Sequence, residues 1–481
     1  MKESHVVWFF CDLSKAFDRM WHKGLLFKLQ TYGITGNIFQ WFRSYLSSRK
    51  QKVMYKNLLS PCNTINAGVP QGSVLGPLLF LIYVNDVSDK MLSMCRLFAD
   101  DNSIQYSSYN VTEIERIINH DLCILDNWSK QWLLQFNPNK TKAMFFTLKK
   151  SFNLPNLVFQ QCHLEHIESH KHLGLIFSSD LTWSVHINNI VSNAYKKIGL
   201  LKKLKFVLGR NTLSKMYLTF IRPLLEYASE VWDGCTCQET DMLEKVQLHA
   251  SRIVTGLPII SSTESLYSET GWEPLSSRRK SIKLTTMFKV HNNLVPAYLK
   301  QIFPSTRGNL SRYNTRNTED YDIPQCRLQL FKKSFVPDIV GKWNSLSAVS
   351  KETTSIKEFK RNINTIHRKP PPYFSFGKRY INIIHTKLRH NCILNNDLYR
   401  RNIIESPLCS CGLVEDSYHF FFSCKLYNYA RINLLNELLQ IQEIQIIDTN
   451  CLLWGIDNLS DELNRKIFSS VHNYIRDSRR F

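Results

Sequence analysis

A chain of 481 residues with 43% apolar and 12% aromatic content has ample material for packed cores, which excludes a disordered tail. Its length suggests roughly two to four domains. The formal net charge of +21 points to an anionic partner, either nucleic acid or a negatively charged membrane face.

No apolar stretch reaches the ~18 residues that a membrane span needs, so nucleic acid leads and no membrane partner is expected. The run Val6-Val7-Trp8-Phe9-Phe10 is too short for a signal peptide, lacks a small-residue cleavage site after it, and is ended by Asp12. Thirteen cysteines are scattered, apart from close pairs at 235/237 and 409/411. That usage reads as reduced thiols of an intracellular protein, in the nucleus or cytoplasm.

His5 to Cys11 is β-branched and aromatic on both faces, the pattern of a buried strand, and it delivers Asp12 at its end. Leu13 to Asp18 is a tight turn into an amphipathic helix near Trp21 to Thr31, with Asp18 capping or pairing near the helix start. A second helix, Ile38 to Leu46, carries Phe39, Trp41, Phe42 and Tyr45 as a core stripe. Gly68 to Pro77 is a loop whose glycines and prolines allow a close-fitting backbone, and an apolar helix through Leu78 to Val87 follows. In Leu97-Phe98-Ala99-Asp100-Asp101-Asn102 a hairpin turn lets two adjacent carboxylates converge. They are either plain turn chemistry or, with Asp12 as third oxygen donor, ligands for a hard cation such as Mg²⁺.

Apolar residues at helical spacing predict a long helix over Ile114 to Trp132. The turn Phe136 to Lys142 then leads into a strand, Ala143 to Thr147. From Leu181 to Leu225 there is no Asp or Glu, while Lys196, Lys197, Lys202, Lys203, Lys205, Arg210, Lys215 and Arg222 alternate with Ile187, Ile190, Val191, Ala194 and Ile198. These are basic amphipathic helices suited to phosphate contacts. Pro274 to Thr318 is again acid-free, with Arg278, Arg279, Lys280, Lys283, Arg307, Arg312 and Arg316. It reads as helical up to about Ile302 and loop-rich over 305–320.

The prolines of Arg368-Lys369-Pro370-Pro371-Pro372 predict a linker. Cys409, Cys411, His419 and Cys424 then form a C-x-C-x7-H-x4-C arrangement. It is either a structural Zn²⁺ site or a set of reduced cysteines beside the aromatic cluster Phe420 to Phe422. Arg389, His390, Arg400 and Arg401 lie just upstream.

Three segments, "DLSKAFDRMWHKGLLFKL", "GVPQGSVLGPLLFLIYVNDV" and "LFADDNSI", follow one another within residues 6–30, 67–87 and 96–106. In this order they closely resemble the palm motifs of reverse transcriptases of jockey-like non-LTR retrotransposons. The resemblance implies that Asp12, Asp100 and Asp101 bind two Mg²⁺ ions for an in-line nucleotidyl transfer, with Asp100 indispensable beside Asp12 and Asp101 more peripheral. It makes Phe17 an aromatic gate against the 2′-hydroxyl, where the residues alone allow a core aromatic. Gln71 and Gly72 would pack on the nascent base pair. Lys140 would donate a proton to the leaving pyrophosphate, or is a solvated loop lysine. His172, Leu173 and Gly174 would belong to a primer grip, and Lys196, Lys197, Lys202 and Lys203 to a thumb on the duplex. The segment "SPLCSCGLVEDSYHFFFSC" is similar to the zinc-binding segment downstream of this family's polymerase, which would grip RNA or target DNA.

The expected architecture is α+β: a right-hand polymerase palm with an antiparallel sheet backed by helices, a helical thumb, and a mostly helical C-terminal region with a small zinc-binding module. The expected domains are 1–180, 181–260, 261–368 and 373–481. Family members carry an endonuclease and fingers ahead of the Asp12 strand, so a truncated copy with its fingers largely missing is expected. The expected function is RNA-directed DNA polymerase, with RNA template, DNA primer or target, and deoxynucleotides as partners. The alternative is a catalytically silent remnant that only binds nucleic acid.

Overall fold

The computed structural model describes residues 5–149, 152–310, 319–363 and 370–481. The chain divides into two compact units, residues 1–186 and 187–481.

The first unit is organised around strand β1 (His5–Asp12). Helices α1 (His22–Thr31), α2 (Gly36–Leu46) and α3 (Leu75–Val84) follow. Next come the hairpin β2 (Met94–Phe98) and β3 (Asp101–Ser108), the long helix α4 (Val111–Gln131), and strands β4 (Lys142–Phe146) and β5 (Glu165–His166). The sheet order is β5-β4-β1-β3-β2. All neighbours are antiparallel except β5 on β4, which is parallel.

Alternation along β1 explains why it is apolar throughout. Val7, Phe9 and Cys11 enter one core with α1, α3 and α4 residues such as Leu25, Phe80 and Leu122. Phe10 points the other way, into a smaller cluster with Met144, Phe146 and Phe177. Each fully buried apolar side chain contributes about 1.5–3 kcal/mol, so β1 is anchored from both sides. Asp12 shares the face of Phe10, and a second hairpin, β6 (Ser169–His172) and β7 (Leu175–Ser178), packs on that face against Trp8 and Phe10. On α4, Ile114, Ile117, Ile118, Leu122, Leu125 and Trp128 are all buried, as their spacing predicts.

Two sequence expectations are corrected in this unit. The aromatic stripe of α2 is only partly core: Phe42 and Tyr45 pack against the core at its edge and Leu46 is buried, whereas Trp41 is 52% exposed and Ile38 is exposed too. Trp41 stacks on Tyr45 instead, at 5.6 Å between ring centroids. Asp18 does not cap α1, whose N-cap is Trp21 without a side-chain bond; it accepts a hydrogen bond from Gln71 Nε2 at 3.0 Å.

The second unit is helical: α5 (Ser184–Leu204) runs into it, followed by α6 (Arg210–Met216), α7 (Cys237–Thr255), α8 (Thr263–Thr270) and α9 (Leu275–His291). Then come α10 (Phe335–Asn344), α11 (Arg379–Arg389), α12 (Asn428–Leu439) and α13 (Asp461–Asp477). α7 starts with a complete capping box between Thr236 and Glu239 and stops at Gly256, whose φ of +78° suits glycine. Among the described residues no helix is long and apolar enough to cross a membrane.

The acid-free windows are only partly free basic surface. Ile187, Val191, Ala194 and Ile198 of α5 are buried while Lys196, Lys197, Lys202 and Lys203 are exposed, as expected. Arg210, however, is buried against Glu269 at 3.7 Å. Arg279 pairs with Asp233 at 2.6 Å, and Lys283 bridges Asp233 and Asp338, both at 2.5 Å. Arg312 and Arg316 lie outside the described residues, as do Arg368 and Lys369 of the expected linker. Its prolines lead directly into a 3-10 turn, Pro372–Ser375, with Tyr373 and Phe374 buried.

Candidate active site and metal centre

The β2–β3 connection is a two-residue turn: Phe98 pairs with Asp101, and Ala99 takes a φ of +53°. This places Asp100 at the tip. In the β1–β3 register Asp12 is directly opposite Asp101. Directly opposed residues project to the same face, so two carboxylates meet at the end of the sheet with the third in the adjacent turn. Asp12 is half-buried, and Asp100 and Asp101 are exposed.

A cleft of about 470 Å³ lies at this point, lined by Asp12, Asp101, Asn102, Lys140, His170 and His172 among others. Lys140 Nζ lies 3.4 Å from Asp12 Oδ2. Its loop is tied to the strand end, since Asn137 N–H donates to the Asp12 carbonyl at 2.9 Å and Lys140 N–H to the Asn137 carbonyl at 3.1 Å. His170 stacks on Phe10 at 3.9 Å. Burial pushes the His170 imidazole down to about 4, with His172 adding to the effect. Burial also lowers His172, against the opposing pull of Asp101. Both shifts favour the neutral ring. The turn joining β6 to β7 places Leu173 at φ +48° and Gly174 at φ +83°.

The Gly-Pro loop is bonded to the segment that follows β1. Gly68 N–H donates to Met20 O at 2.7 Å and Val69 N–H to Phe17 O at 2.9 Å. A Cβ on Gly68, at φ +84°, would come within 2.7 Å of the Asp18 carbonyl oxygen, so only glycine fits. Phe17 packs its ring on Phe80 at 4.8 Å. Gln71 and Gly72 are exposed, with Gln71 oriented by Asp18.

Far along the chain, Cys409, Cys411, His419 and Cys424 place their ligand atoms within 4.8 Å of one another. Cys409 Sγ and Cys424 Sγ are 3.8 Å apart, and Cys411 Sγ is 3.3 Å from His419 Nε2. A turn closed by Gly412, at φ +91°, brings Cys409 and Cys411 together, with Cys409 N–H donating to Leu413 O at 2.7 Å. His419 Nδ1 is 3.2 Å from Ser423 Oγ, which fixes the ring. Burial pushes the Cys424 thiol up to about 11.

Residues 2–177 match the family model described as reverse transcriptase (RNA-dependent DNA polymerase). The chain is 26% identical over 321 residues to a probable RNA-directed DNA polymerase from transposon BS of Drosophila melanogaster, covering 62% of this chain and 34% of that relative. It is 28% identical over 271 residues to the RNA-directed DNA polymerase from mobile element jockey of Drosophila funebris, covering 53% of this chain and 29% of the relative. Residues 2–177 thus match a reverse transcriptase domain, and these transposon polymerases are what the chain is similar to. The chain thus spans about a third of the length of these curated relatives. A telomerase structure from Candida albicans overlaps with a TM-score of 0.28 at 12% identity, over 52% of this chain and 40% of that one, a likeness too slight to argue from.

Within the reverse transcriptase domain, the fold brings Asp12, Asp101, Lys140 and His172 to one cleft, with Asp100 in the turn beside it. Three features were not legible beforehand: the Asp18–Gln71 bond, the ring of His170 on Phe10, and Asn102, whose buried Oδ1 has no hydrogen-bond partner among the described residues. The first joins positions 53 residues apart, which no local pattern can signal. Outside the domain, Arg389 and His390 are not free to grip nucleic acid. Both are committed to Glu269, at 2.9 and 3.1 Å, whereas Arg400 and Arg401 are exposed.

Proposed function

We propose that the chain is the RNA-directed DNA polymerase of a non-LTR retrotransposon, adding deoxynucleotides to a primer 3′-hydroxyl on an RNA template, in the nucleus or cytoplasm. The observation that carries this reading is the register that sets Asp12 against Asp101, beside the Asp100 turn, in a reverse transcriptase domain. Three hard carboxylate oxygens at one sheet end fit the donor preference of Mg²⁺, so Asp12, Asp100 and Asp101 would hold the catalytic ions. When bound, two such ions activate the attacking hydroxyl and stabilise the leaving pyrophosphate.

The chain's own residues do the rest. Lys140, held beside Asp12, supplies a cation and a proton donor for the departing pyrophosphate. Phe17, braced by Phe80, stands under the incoming sugar and disfavours a 2′-hydroxyl. Gln71, fixed by Asp18, and Gly72 line the nascent base pair. His172, Leu173 and Gly174 present the primer end from their turn. Lys196, Lys197, Lys202 and Lys203 form the exposed cationic face of a thumb, and phosphate contacts there make binding fall with salt.

The Cys409, Cys411, His419 and Cys424 cluster fits a structural Zn²⁺. With Zn–S near 2.3 Å, the edge of a tetrahedral site is about 3.8 Å, which is the Cys409–Cys424 separation.

The test of the polymerase reading is extension of a DNA primer on an RNA template with deoxynucleotides and Mg²⁺. Extended product is expected; binding of the primer–template without any extension would leave the silent remnant. A sharper test concerns the gate. Phe17→Ala is expected to raise ribonucleotide incorporation relative to deoxynucleotide by on the order of tenfold. An unchanged sugar preference in an active enzyme would remove Phe17 from that role.

A further inference from the structure

In the second unit, the end of α5, the end of α7 and one face of α11 enclose a pocket of about 450 Å³, within the usual size range of ligand sites. Its walls include Lys202, Lys205, Phe206, Arg252, Ile259 and Lys387. Among the described residues no carboxylate lines it. Among the described residues, Lys202, Lys205, Arg252 and Lys387 form no ion pair of the kind that holds Arg279 and Lys283. Arg252 Nε is buried with no hydrogen-bond acceptor among the described residues, an unmet donor of the kind that calls for an anion. Arg379, also at this pocket, is occupied differently: it donates to the carbonyls of Val254 and Ile253 at the end of α7, at 2.9 and 2.6 Å.

The same pocket carries apolar surface that a phosphate alone would not use. Phe206 is 82% exposed and Ile259 is 85% exposed, although water disfavours both. Lys205 Nζ lies over the Phe206 ring at 4.9 Å. A ring exposed beside several cations, in a concave wall without acids, matches what single-stranded nucleic acid needs: a stacking face for a base and donors for its phosphate. An acidic peptide would use the cations and leave the ring idle.

We propose that this pocket takes one nucleotide of a single-stranded nucleic acid, with its phosphate on Arg252, Lys202 and Lys387 and its base against Phe206 and Ile259. The site lies outside the reverse transcriptase domain and serves to hold a strand. It extends the nucleic-acid reading of the basic helices but does not depend on polymerisation.

The test is fluorescence anisotropy of the full chain with a labelled short oligouridine, without nucleotides or Mg²⁺. Phe206→Ala, at a position exposed enough to leave the fold intact, is expected to weaken binding about tenfold. Arg252→Gln is expected to weaken it similarly and to flatten the salt dependence. Lys357→Ala, an exposed cation outside the pocket, is expected to change affinity less than about twofold on the same principle. Ultraviolet cross-links to oligouridine are expected in the peptide carrying Phe206. Unchanged affinity in Phe206→Ala, or displacement of oligouridine by polyglutamate as effective as by unlabelled oligouridine, would overturn the proposal. If those results came with intact primer extension, the pocket would fall while the polymerase reading stood.

Discussion

Replacing Cys424 by serine is expected to abolish a zinc content of one ion per chain and to unfold the segment around residues 409–424. The expectation starts from burial. Cys409, His419 and Cys424 are buried in a core that includes Phe420, Phe421 and Tyr474. The sulfur separation of 3.8 Å is far beyond the ~2.05 Å of a disulfide, so the thiols are held near each other without a bond. A bound cation makes that arrangement favourable, and in isolated zinc fingers such binding is worth about 10–16 kcal/mol. The surrounding contacts are placed to hold the ligands. Arg480 pairs with Glu415 at 2.7 and 2.8 Å, and Arg431 donates to the Phe421 carbonyl at 2.9 Å and to that of Cys424. Native mass spectrometry and proteolysis give the readout. Zinc-free wild-type protein that resists protease as well as the zinc-loaded form does would remove the site.

Glu269→Gln is expected to destabilise the second unit strongly. Glu269 is completely buried, and it accepts from Arg389 at 2.9 and 3.3 Å and meets His390 at 3.1 Å and Arg210 at 3.7 Å. Arg210 also donates to Asn382 and Thr386, both at 2.7 Å, so α6, α8 and α11 share one network. Burial alone would raise the Glu269 carboxyl, but Arg389, His390 and Arg210 outweigh it and hold the group well below the usual carboxylate range. Removing the one anion leaves two guanidinium groups buried without a counter-charge, a loss of about 3–5 kcal/mol. A fall of roughly 10 °C in melting temperature follows. The sign with pH is fixed as well. A carboxylate depressed in the folded state contributes stability above its unfolded value of about 4.3 and loses it as pH falls toward the folded value. The gap between wild type and Glu269→Gln should therefore be widest above about pH 5 and close in stronger acid. Equal melting temperatures at pH 7 would refute this role for Glu269.

What could be read from the residues and what could not divides by sequence distance. Strand β1, the Asp100 turn and α4 were legible because each is specified within its own few residues, by alternation, turn chemistry or helical spacing. The Cys/His cluster was legible for the same reason. On α2 the spacing says which residues share a face but not how far that face is covered, so Phe42 and Tyr45 reach the core while Trp41 does not. The acid-free windows could not show how their charge is balanced in space: Glu269 reaches Arg210, and Asp233 and Asp338 reach Lys283. The bond between Gln71 and Asp18 had no local signature either.

Primer extension by the full chain and by its Asp100→Ala variant, side by side on one RNA template with deoxynucleotides and Mg²⁺, tests the central claim most directly. Extension by the wild type that disappears in the variant, with primer–template affinity unchanged, is the expected result. Extension that survives loss of the Asp100 carboxylate would contradict the assignment of catalysis to Asp12, Asp100 and Asp101.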